Sequence, residues 1–278
     1  MGVFIVIFSG FFYLVGKYYQ SPLPYFVLGM IVAVVSSLGS YFYSDKIVLK
    51  INAAIPADKK KYFNFYTVAQ NLAIAAGLPM PKLYVIVDPA PNAFATGRDP
   101  QHAVVCATTG LLEMMNRTEL EGVIAHELSH IKNYDILLTT VVAVLVGTVA
   151  LITHWIWWGG LGRSRNDDER RSPIFFILFI VALILTPIVA TIIQLAISRK
   201  REYLADASGV LLTRYPEGLA RALEKIESDP DELATANSST AHLFISNPFN
   251  NKVRSSWFTA LFSTHPPIEE RIKILRSM

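Results

Sequence analysis

The sequence predicts a mainly α-helical protein with a small β-sheet, in which four transmembrane helices accompany one water-facing domain. The first observation is that four long apolar blocks interrupt a chain that is 52% hydrophobic and only 17% charged. Ordinary soluble domains carry roughly 25% charged residues, and long apolar blocks are typical of membrane helices. The second observation is that three short runs of β-branched and apolar residues lie between the second and third blocks, as expected of strands.

The first two apolar blocks form a predicted transmembrane hairpin over residues 1–44, with spans at about 3–19 and 24–43. Its first block is only just long enough to cross a hydrocarbon layer of roughly 30 Å. The composition turns polar after the second block. We therefore expect the water-facing domain to begin at residue 45.

The first part of that domain covers residues 45–135 and contains the predicted sheet. Proline and glycine turn signals separate the strands, which are predicted at residues 82–87, 92–97 and 102–108. An extended peptide can add to the edge of a sheet. We expect the strand at residues 92–97 to be such an edge strand and to bind a peptide substrate. The residues assigned to this role are Asn92, Ala93, Phe94 and Ala95.

The helix that follows the sheet carries the stretch HELSH, which begins at His126. On a helix, side chains four residues apart share one face, so His126 and His130 can hold one metal ion. Glu127 flanks that pair and can reach a water on the metal without ligating the metal, which is the arrangement of a zinc peptidase. Thr118 and Glu121 are predicted to cap this helix, which we expect to run with little or no break into the next apolar block.

The third and fourth apolar blocks form a second predicted hairpin over residues 136–197, with spans at about 136–158 and 174–197. A hairpin returns the chain to the side of the membrane that it left. Residues 198–278 should therefore complete the water-facing domain beside the HELSH helix.

The stretch REYLAD, directly after the fourth block, is the best source of a third metal ligand. Zinc peptidases use three protein ligands and leave one position open for water. The single cysteine, Cys106, lies in an apolar run where we expect it to be buried, so the third ligand should be a carboxylate. We predict that Glu202 ligates the metal and that Asp206, on the same helix face, accepts a hydrogen bond from His126.

Lysine and arginine residues near the predicted spans indicate how the protein is oriented. Nine of them lie on the side of the water-facing domain and five on the opposite side. An excess of basic residues marks the cytosolic side. We therefore expect a multi-pass protein of the cell (inner) membrane, in contact with the lipid bilayer, with both termini and the catalytic domain in the cytosol.

Four histidines lie outside the HELSH stretch. His265, in the stretch THPP, precedes the last predicted helix, whose first turn is set by the paired prolines. An imidazole held there could donate a hydrogen bond to a developing oxyanion, so His265 is a candidate catalytic residue. We expect His102, His154 and His242 to have structural roles.

Four stretches of the sequence together resemble the HtpX-type integral-membrane zinc metalloproteases: NAFATG, HELSH on a helix before a span, REYLAD and THPPIEERI. The resemblance covers nearly the whole chain. It implies a zincin-like, specifically gluzincin-like, catalytic domain with one Zn²⁺ per chain, and a role in degrading misfolded or damaged membrane proteins. The zinc ligands that it implies are His126, His130 and Glu202. It further implies Glu127 as the general base and supports Asp206, His265 and residues 92–97 as parts of the site.

Several other functions remain open on the sequence alone. A prenyl-protein CaaX endopeptidase shares the catalytic motif, although such enzymes need more than four spans. A receptor or scaffold with a structural zinc would normally close the site with a fourth protein ligand. A transporter would place charged residues inside its spans, whereas the first apolar block stops before Lys17 and none of the four blocks contains a charged residue. The net charge of +3 is too small to indicate nucleic-acid binding, and the oligomeric state is left open.

Overall fold

The computed structural model describes residues 1–18, 20–141, 199–231, 233–234, 240–246, 248 and 266–278. Most of the second predicted hairpin (residues 136–197) and His265 therefore lie outside the described residues. The chain divides into two compact units, of which the first contains Met1–Tyr43 and the second contains the described residues from Ser44 onward.

The first unit contains two apolar helices, α1 (Gly2–Tyr18) and the greater part of α2 (Pro22–Ile51). They pack closely at small residues, since a Cβ atom on Gly29 would lie 2.5 Å from the Cβ atom of Phe12. Among the described residues, α2 is the one helix that is long and apolar enough to cross a membrane, with 30 residues against 17 in α1. Length and composition thus support one of the four predicted spans within this part of the chain.

The second unit contains a small mixed sheet. Its strands are β1 (Ile55–Pro56), β2 (Lys82–Ile86), β3 (Ala93–Thr96) and β4 (Val104–Thr108). They lie in the order β1–β2–β4–β3, with β2 parallel to β4 and the two outer strands antiparallel to their neighbours. The prediction of a mainly helical chain with a small sheet is confirmed, and β3 lies at an edge of that sheet.

The sheet separates two hydrophobic clusters, because successive side chains of a strand point to opposite faces. Val105 and Ala107 of β4 belong to the larger cluster, whereas Val104 and Cys106 belong to the smaller one together with Phe94. Cys106 is fully buried, as expected, and burial raises the pKa of its thiol. Cys106 is therefore a core residue and not a reactive thiol.

The helices that complete the second unit are α3 (Phe63–Ala76), α4 (Thr109–Met114), α5 (Arg117–Lys132), α6 (Arg199–Thr213), α7 (Pro216–Ser228) and α8 (Ile268–Leu275). Helix α5, which carries the HELSH stretch, is central to the unit because it packs against α3, α6, α7 and β3. Its own hydrophobic residues, among them Val123 and Leu128, join the larger cluster. The candidate metal ligands of α5 are therefore held on a helix that is packed on several sides.

The N-terminal cap of α5 differs from the sequence-based expectation. Asn116 and Glu119 form the capping box, and the prediction for Thr118 and Glu121 was wrong by two residues. The Asn116 side chain accepts a hydrogen bond from the Glu119 N–H at 3.0 Å, and the Glu119 carboxylate accepts one from the Asn116 N–H at 2.9 Å. Asparagine caps a helix as well as threonine does, so the earlier of the two patterns starts the helix.

At its C-terminal end, α5 stops at Lys132 instead of running directly into the next apolar block. Asn133 ends the helix, and Tyr134 adopts the left-handed backbone conformation with φ of +60°. Helical geometry resumes at Asp135. Asn133 and Tyr134 thus form a break of two residues, in keeping with the little or no break that was expected.

Candidate metal centre

Three side chains predicted as metal ligands come together between α5 and α6. Ligand atoms of His126, His130 and Glu202 all lie within 4.8 Å of one another. The Nε2 atoms of the two histidines are 3.1 Å apart. A carboxylate oxygen of Glu202 lies 3.8 Å from the Nε2 atom of His126, and the other lies 3.5 Å from that of His130.

This geometry fits a tetrahedrally coordinated metal ion. Zinc bonds of roughly 2.0–2.1 Å in tetrahedral geometry place the ligand atoms about 3.3 Å from one another, close to the three separations observed. The Nδ1 atoms of His126 and His130 each lie next to a carboxylate, at 2.9 Å and 3.1 Å. If each Nδ1 atom donates its proton to that carboxylate, both Nε2 atoms present lone pairs to the same point.

Helices α5 and α6 meet closely because a glycine lies at their contact. A Cβ atom on Gly209 would lie only 3.1 Å from the backbone nitrogen of His126. Glu202 and Asp206 share the face of α6 that is buried against α5, with 3% and 1% of their surface exposed. The close approach therefore brings both carboxylates within reach of the histidines.

Asp206 bridges His126 and an arginine that the sequence did not single out. Its Oδ1 atom lies 2.9 Å from His126 Nδ1, and Arg271 of α8 donates to both carboxylate oxygens, at 2.7 Å and 2.9 Å. Arg271 is fully buried and also donates to the carbonyl oxygen of Ile245 at 3.1 Å. Its position between Ile268 and Ile272 on the apolar face of α8 is the sequence signal that could have identified it.

The electrostatics of this group keep the Asp206 carboxylate charged. Burial raises the pKa of Asp206, but the charge of Arg271 and hydrogen bonds from His126 and Arg271 outweigh it and bring the pKa to about 2. Burial lowers the pKa of His126, although Asp206 opposes that shift. His126 is therefore neutral near pH 7, as a histidine must be to ligate a metal.

His130 has a comparable arrangement that the sequence also did not reveal. Its Nδ1 atom lies 3.1 Å from Oδ2 of Asp135, and Arg201 donates a hydrogen bond to the other oxygen of Asp135. Burial lowers the pKa of His130, but the hydrogen bond to Asp135 and the charges of Glu202 and Glu127 outweigh it and raise the pKa to about 9. The two histidines thus differ in charge at neutral pH in the absence of metal.

Glu127 lies beside the three candidate ligands and is 2% exposed. Together with them it lines a cleft that Ala95 of β3 and Phe244 also border. Burial raises the pKa of Glu127 to about 7; the charge of His130 and the backbone N–H of Ala95 oppose that shift. A carboxyl group with this pKa can accept and return a proton near neutral pH.

Of the residues predicted to bind substrate, Ala93, Phe94 and Ala95 lie on the edge strand β3 and Asn92 directly precedes it, and all four are buried. Phe94 is fully buried, with its ring centroid 5.1 Å from that of Phe244. The Asn92 side chain donates to the carbonyl oxygen of Ser246 at 3.3 Å. At the outer edge of β3, the carbonyl oxygen of Ala93 accepts a hydrogen bond from the Ile245 N–H at 2.9 Å. Any peptide contact with this strand would therefore use its backbone.

The segment formed by residues 243–246 was not identified from the sequence. Leu243, Phe244 and Ile245 of this segment line the wall of the cleft. His265 and His154 lie outside the described residues. His102 lies near the surface, with its Nδ1 atom 2.7 Å from a carboxylate oxygen of Asp99.

Comparison with known proteins agrees with this site. The profile of peptidase family M48 matches residues 63–278. The chain is 48% identical to the protein named Protease HtpX homolog from Caldanaerobacter subterraneus, over 99% of this chain and 93% of that protein. It is 45% identical to the Protease HtpX homolog from Dictyoglomus turgidum, over 99% of this chain and 90% of that protein.

Among solved structures, the fold is similar to that of Ste24p from S. mikatae, with a TM-score of 0.54 and 21% sequence identity. That match covers 97% of this chain but 62% of Ste24p. At this identity it supports the fold alone. The family profile, the close relatives and the His-His-Glu cluster agree: the chain belongs to peptidase family M48 and is a metalloprotease.

Proposed function

We propose that this metalloprotease is a zinc-dependent endopeptidase of the cell membrane that cleaves misfolded or damaged membrane proteins in quality control. The observation that carries the proposal is the convergence of three metal-ligand atoms beside the buried carboxylate of Glu127. Two imidazoles and one carboxylate favour zinc among the divalent ions available to proteins. The relatives named Protease HtpX homolog support a proteolytic role for a chain of this length.

His126, His130 and Glu202 would hold the zinc ion, which supplies a Lewis acid for the scissile carbonyl group and lowers the pKa of water. Glu127 accepts a proton from the water whose oxygen attacks the carbonyl carbon. It then gives that proton to the amine nitrogen as the peptide C–N bond breaks. The pKa of about 7 that burial gives to Glu127 suits a group that must do both.

The substrate backbone lies along the outer edge of β3 in this proposal. The side chains of Asn92 and Phe94 are engaged within the protein, so recognition by this strand would rest on its backbone. A peptide would have to share or replace the hydrogen bond that the Ala93 carbonyl oxygen accepts from Ile245. Backbone hydrogen bonds do not select a sequence. An enzyme that recognises its substrate in this way suits unfolded chains of many sequences. His265 remains a proposed hydrogen-bond donor to the oxyanion, on the strength of its place ahead of α8.

The proposed location is the inner membrane of the cell, with several spans and with both termini and the catalytic domain in the cytosol. Helix α2 supports the membrane assignment by its length and composition, and the distribution of basic residues supports the orientation. A cysteine introduced by Gly2→Cys should react with a membrane-impermeant maleimide only after the cells are opened. Cys106 is buried and should give little background. Labelling of intact spheroplasts would contradict the cytosolic N-terminus.

The catalytic proposal is tested with detergent-purified protein, by measuring zinc content and the cleavage of casein. We expect the wild-type protein to cut casein and to contain one zinc ion per chain, because the three ligands form a single site. Glu127→Ala should keep the zinc and lose cleavage. Cleavage by Glu127→Ala at the normal rate would show that the role assigned to this residue is wrong.

Substrate class is tested by offering an unfolded membrane protein and a prenylated peptide in the same assay. We expect the unfolded protein to be cleaved in preference. Preference for the prenylated peptide would favour a CaaX-type endopeptidase instead. Failure of both substrates, with zinc bound, would favour a structural zinc site.

A further inference from the structure

The imidazole of His130 is hydrogen-bonded to a carboxylate that lies outside the predicted set of site residues. The Nδ1 atom of His130 is 3.1 Å from Oδ2 of Asp135, and the side chain of Asp135 is only 5% exposed. This contact involves the ring nitrogen that is turned away from His126 and Glu202. Asp135 can therefore fix which nitrogen of His130 carries the proton without entering the metal site.

A regular helix would not bring these two residues together. Residues five positions apart on an α-helix point about 140° away from one another. Helix α5 ends at Lys132, however, and Tyr134 adopts a left-handed backbone conformation with φ of +60°. The chain turns there, and Asp135 faces back towards His130. The conformation of Tyr134 is uncommon for a residue other than glycine, and this contact is its structural consequence.

Arg201 holds the other oxygen of the same carboxylate. It donates a hydrogen bond to Oδ1 of Asp135, so that the two oxygens of Asp135 are shared between a histidine and an arginine. Arg201 directly precedes Glu202 in the first turn of α6. The contact therefore ties the segment that carries the third candidate ligand to the segment that carries the second.

The same chemical arrangement is found behind His126. There, Asp206 accepts from the imidazole and Arg271 binds the carboxylate. Each candidate histidine ligand thus has a carboxylate behind its Nδ1 atom and an arginine behind that carboxylate. The two sets differ in burial, since the Arg271 side chain is 0% exposed and that of Arg201 is 39% exposed.

We propose that Asp135 and Arg201 are positioning residues for the metal centre: Asp135 orients His130 and fixes its tautomer, and Arg201 holds Asp135 in place. This inference rests on the proposed role of His130 as a zinc ligand. The pair also joins the chain ahead of residues 136–197 to the chain after them. Metal affinity would therefore depend on the correct meeting of two segments that are far apart in sequence.

The test compares zinc dissociation constants of purified variants, measured by competition with a chelating indicator well above pH 9, where His130 is neutral with or without the Asp135 carboxylate. Asp135→Asn should raise the dissociation constant by about 10–100-fold, the range expected when a ligand loses its outer hydrogen-bond partner. Arg201→Ala should raise it less, because Arg201 acts on His130 through Asp135. Arg201→Lys keeps a positive charge near Asp135 and should restore most of the affinity.

Asp99→Asn is the matched control, since Asp99 forms a similar contact with His102, which has no part in the metal centre. It should leave the zinc dissociation constant unchanged. The thermal unfolding midpoint of each metal-free variant is measured in parallel. A lower midpoint with unchanged zinc affinity in Asp135→Asn would mark a purely structural role and overturn the proposal.

The two proposals can fail separately. If the wild-type protein bound no zinc, the proposed function itself would be contradicted. If the wild type bound zinc and Glu202→Ala lost it, while Asp135→Asn stayed within about threefold of the wild type, only the positioning role would be rejected.

Discussion

Arg271 and Asp206 form a buried ion pair with two hydrogen bonds. The Nε atom of Arg271 donates to Oδ2 at 2.9 Å, and a terminal nitrogen donates to Oδ1 at 2.7 Å. The two side chains are 0% and 2% exposed. Because α8 supplies the arginine and α6 the aspartate, this pair fastens the last described helix of the chain to the candidate metal centre.

We expect Arg271→Ala to lower the free energy of unfolding by about 3–5 kcal/mol, because it leaves a buried carboxylate without its partner. It should also weaken zinc binding, since Asp206 would no longer be held against His126. Thermal and denaturant unfolding in detergent measure the first effect, and chelator competition measures the second.

Arg276→Ala is the control for that change. Arg276 lies just after α8 and pairs with Glu217 and Glu224 at the protein surface. Surface ion pairs contribute little to stability, so the unfolding midpoint should fall far less in Arg276→Ala than in Arg271→Ala. Equal effects of the two substitutions would show that burial of the Arg271 pair is unimportant.

Glu202→Ala should remove a metal ligand and leave the two histidines of α5 in place. We expect zinc affinity to fall by more than the roughly 10–100-fold that loss of an outer hydrogen bond causes. Glu121→Ala is the matched control, because Glu121 pairs with Arg117 at the surface of the same unit. Metal content after dialysis against a weak chelator measures both. Zinc retained at wild-type level in Glu202→Ala would exclude this carboxylate from the ligand set.

Zinc binding should release a proton from His130. The pKa of His130 is raised to about 9, so in metal-free protein its imidazole is charged at neutral pH, whereas burial lowers the pKa of His126. A histidine must be deprotonated at the nitrogen that binds a metal ion, so zinc competes with the His130 proton below about pH 9. Affinity should therefore rise with pH through the neutral range, by up to about tenfold per pH unit.

Calorimetry of zinc binding in buffers with different protonation enthalpies measures this proton directly. The apparent binding enthalpy should change with the buffer in proportion to the protons released. A heat that is the same in every buffer, together with an affinity that does not change between pH 7 and 9, would contradict a charged His130.

The parts of the site that the sequence predicted are those set by short-range spacing. His126 and His130 share a helix face because they are four residues apart, and the same spacing places Glu202 and Asp206 together on α6. Strands β2, β3 and β4 were also predicted, though β1 was not, since β-branched runs between turn signals depend on local composition. Each of these inferences needed only neighbours along the chain.

The parts that the sequence did not predict depend on tertiary structure. Asp135 reaches His130 only because the helix breaks at Tyr134. A tyrosine does not indicate a left-handed backbone conformation as a glycine would, so the sequence did not predict this break. Arg271 is charged, yet it can be buried because it pairs with Asp206, which lies on another helix. The segment at Phe244 packs on β3 through contacts about 150 residues apart in sequence. Contacts between residues so far apart in sequence cannot be predicted from local sequence patterns.

A last prediction concerns the packing that holds α5 in position. A Cβ atom on Gly122 would lie 2.6 Å from the backbone nitrogen and 2.8 Å from the Cα atom of Leu219 in α7. Backbone atoms cannot rotate away as a side chain can, so Gly122→Ala must push the two helices apart. We expect it to lower the free energy of unfolding by about 1–3 kcal/mol. Gly39→Ala, where no atom of another described segment lies within 4 Å of the new Cβ, should be neutral or slightly stabilising. Thermal unfolding of both variants decides the matter: if Gly122→Ala unfolds at the wild-type midpoint, close contact between α5 and α7 does not limit the stability of this unit.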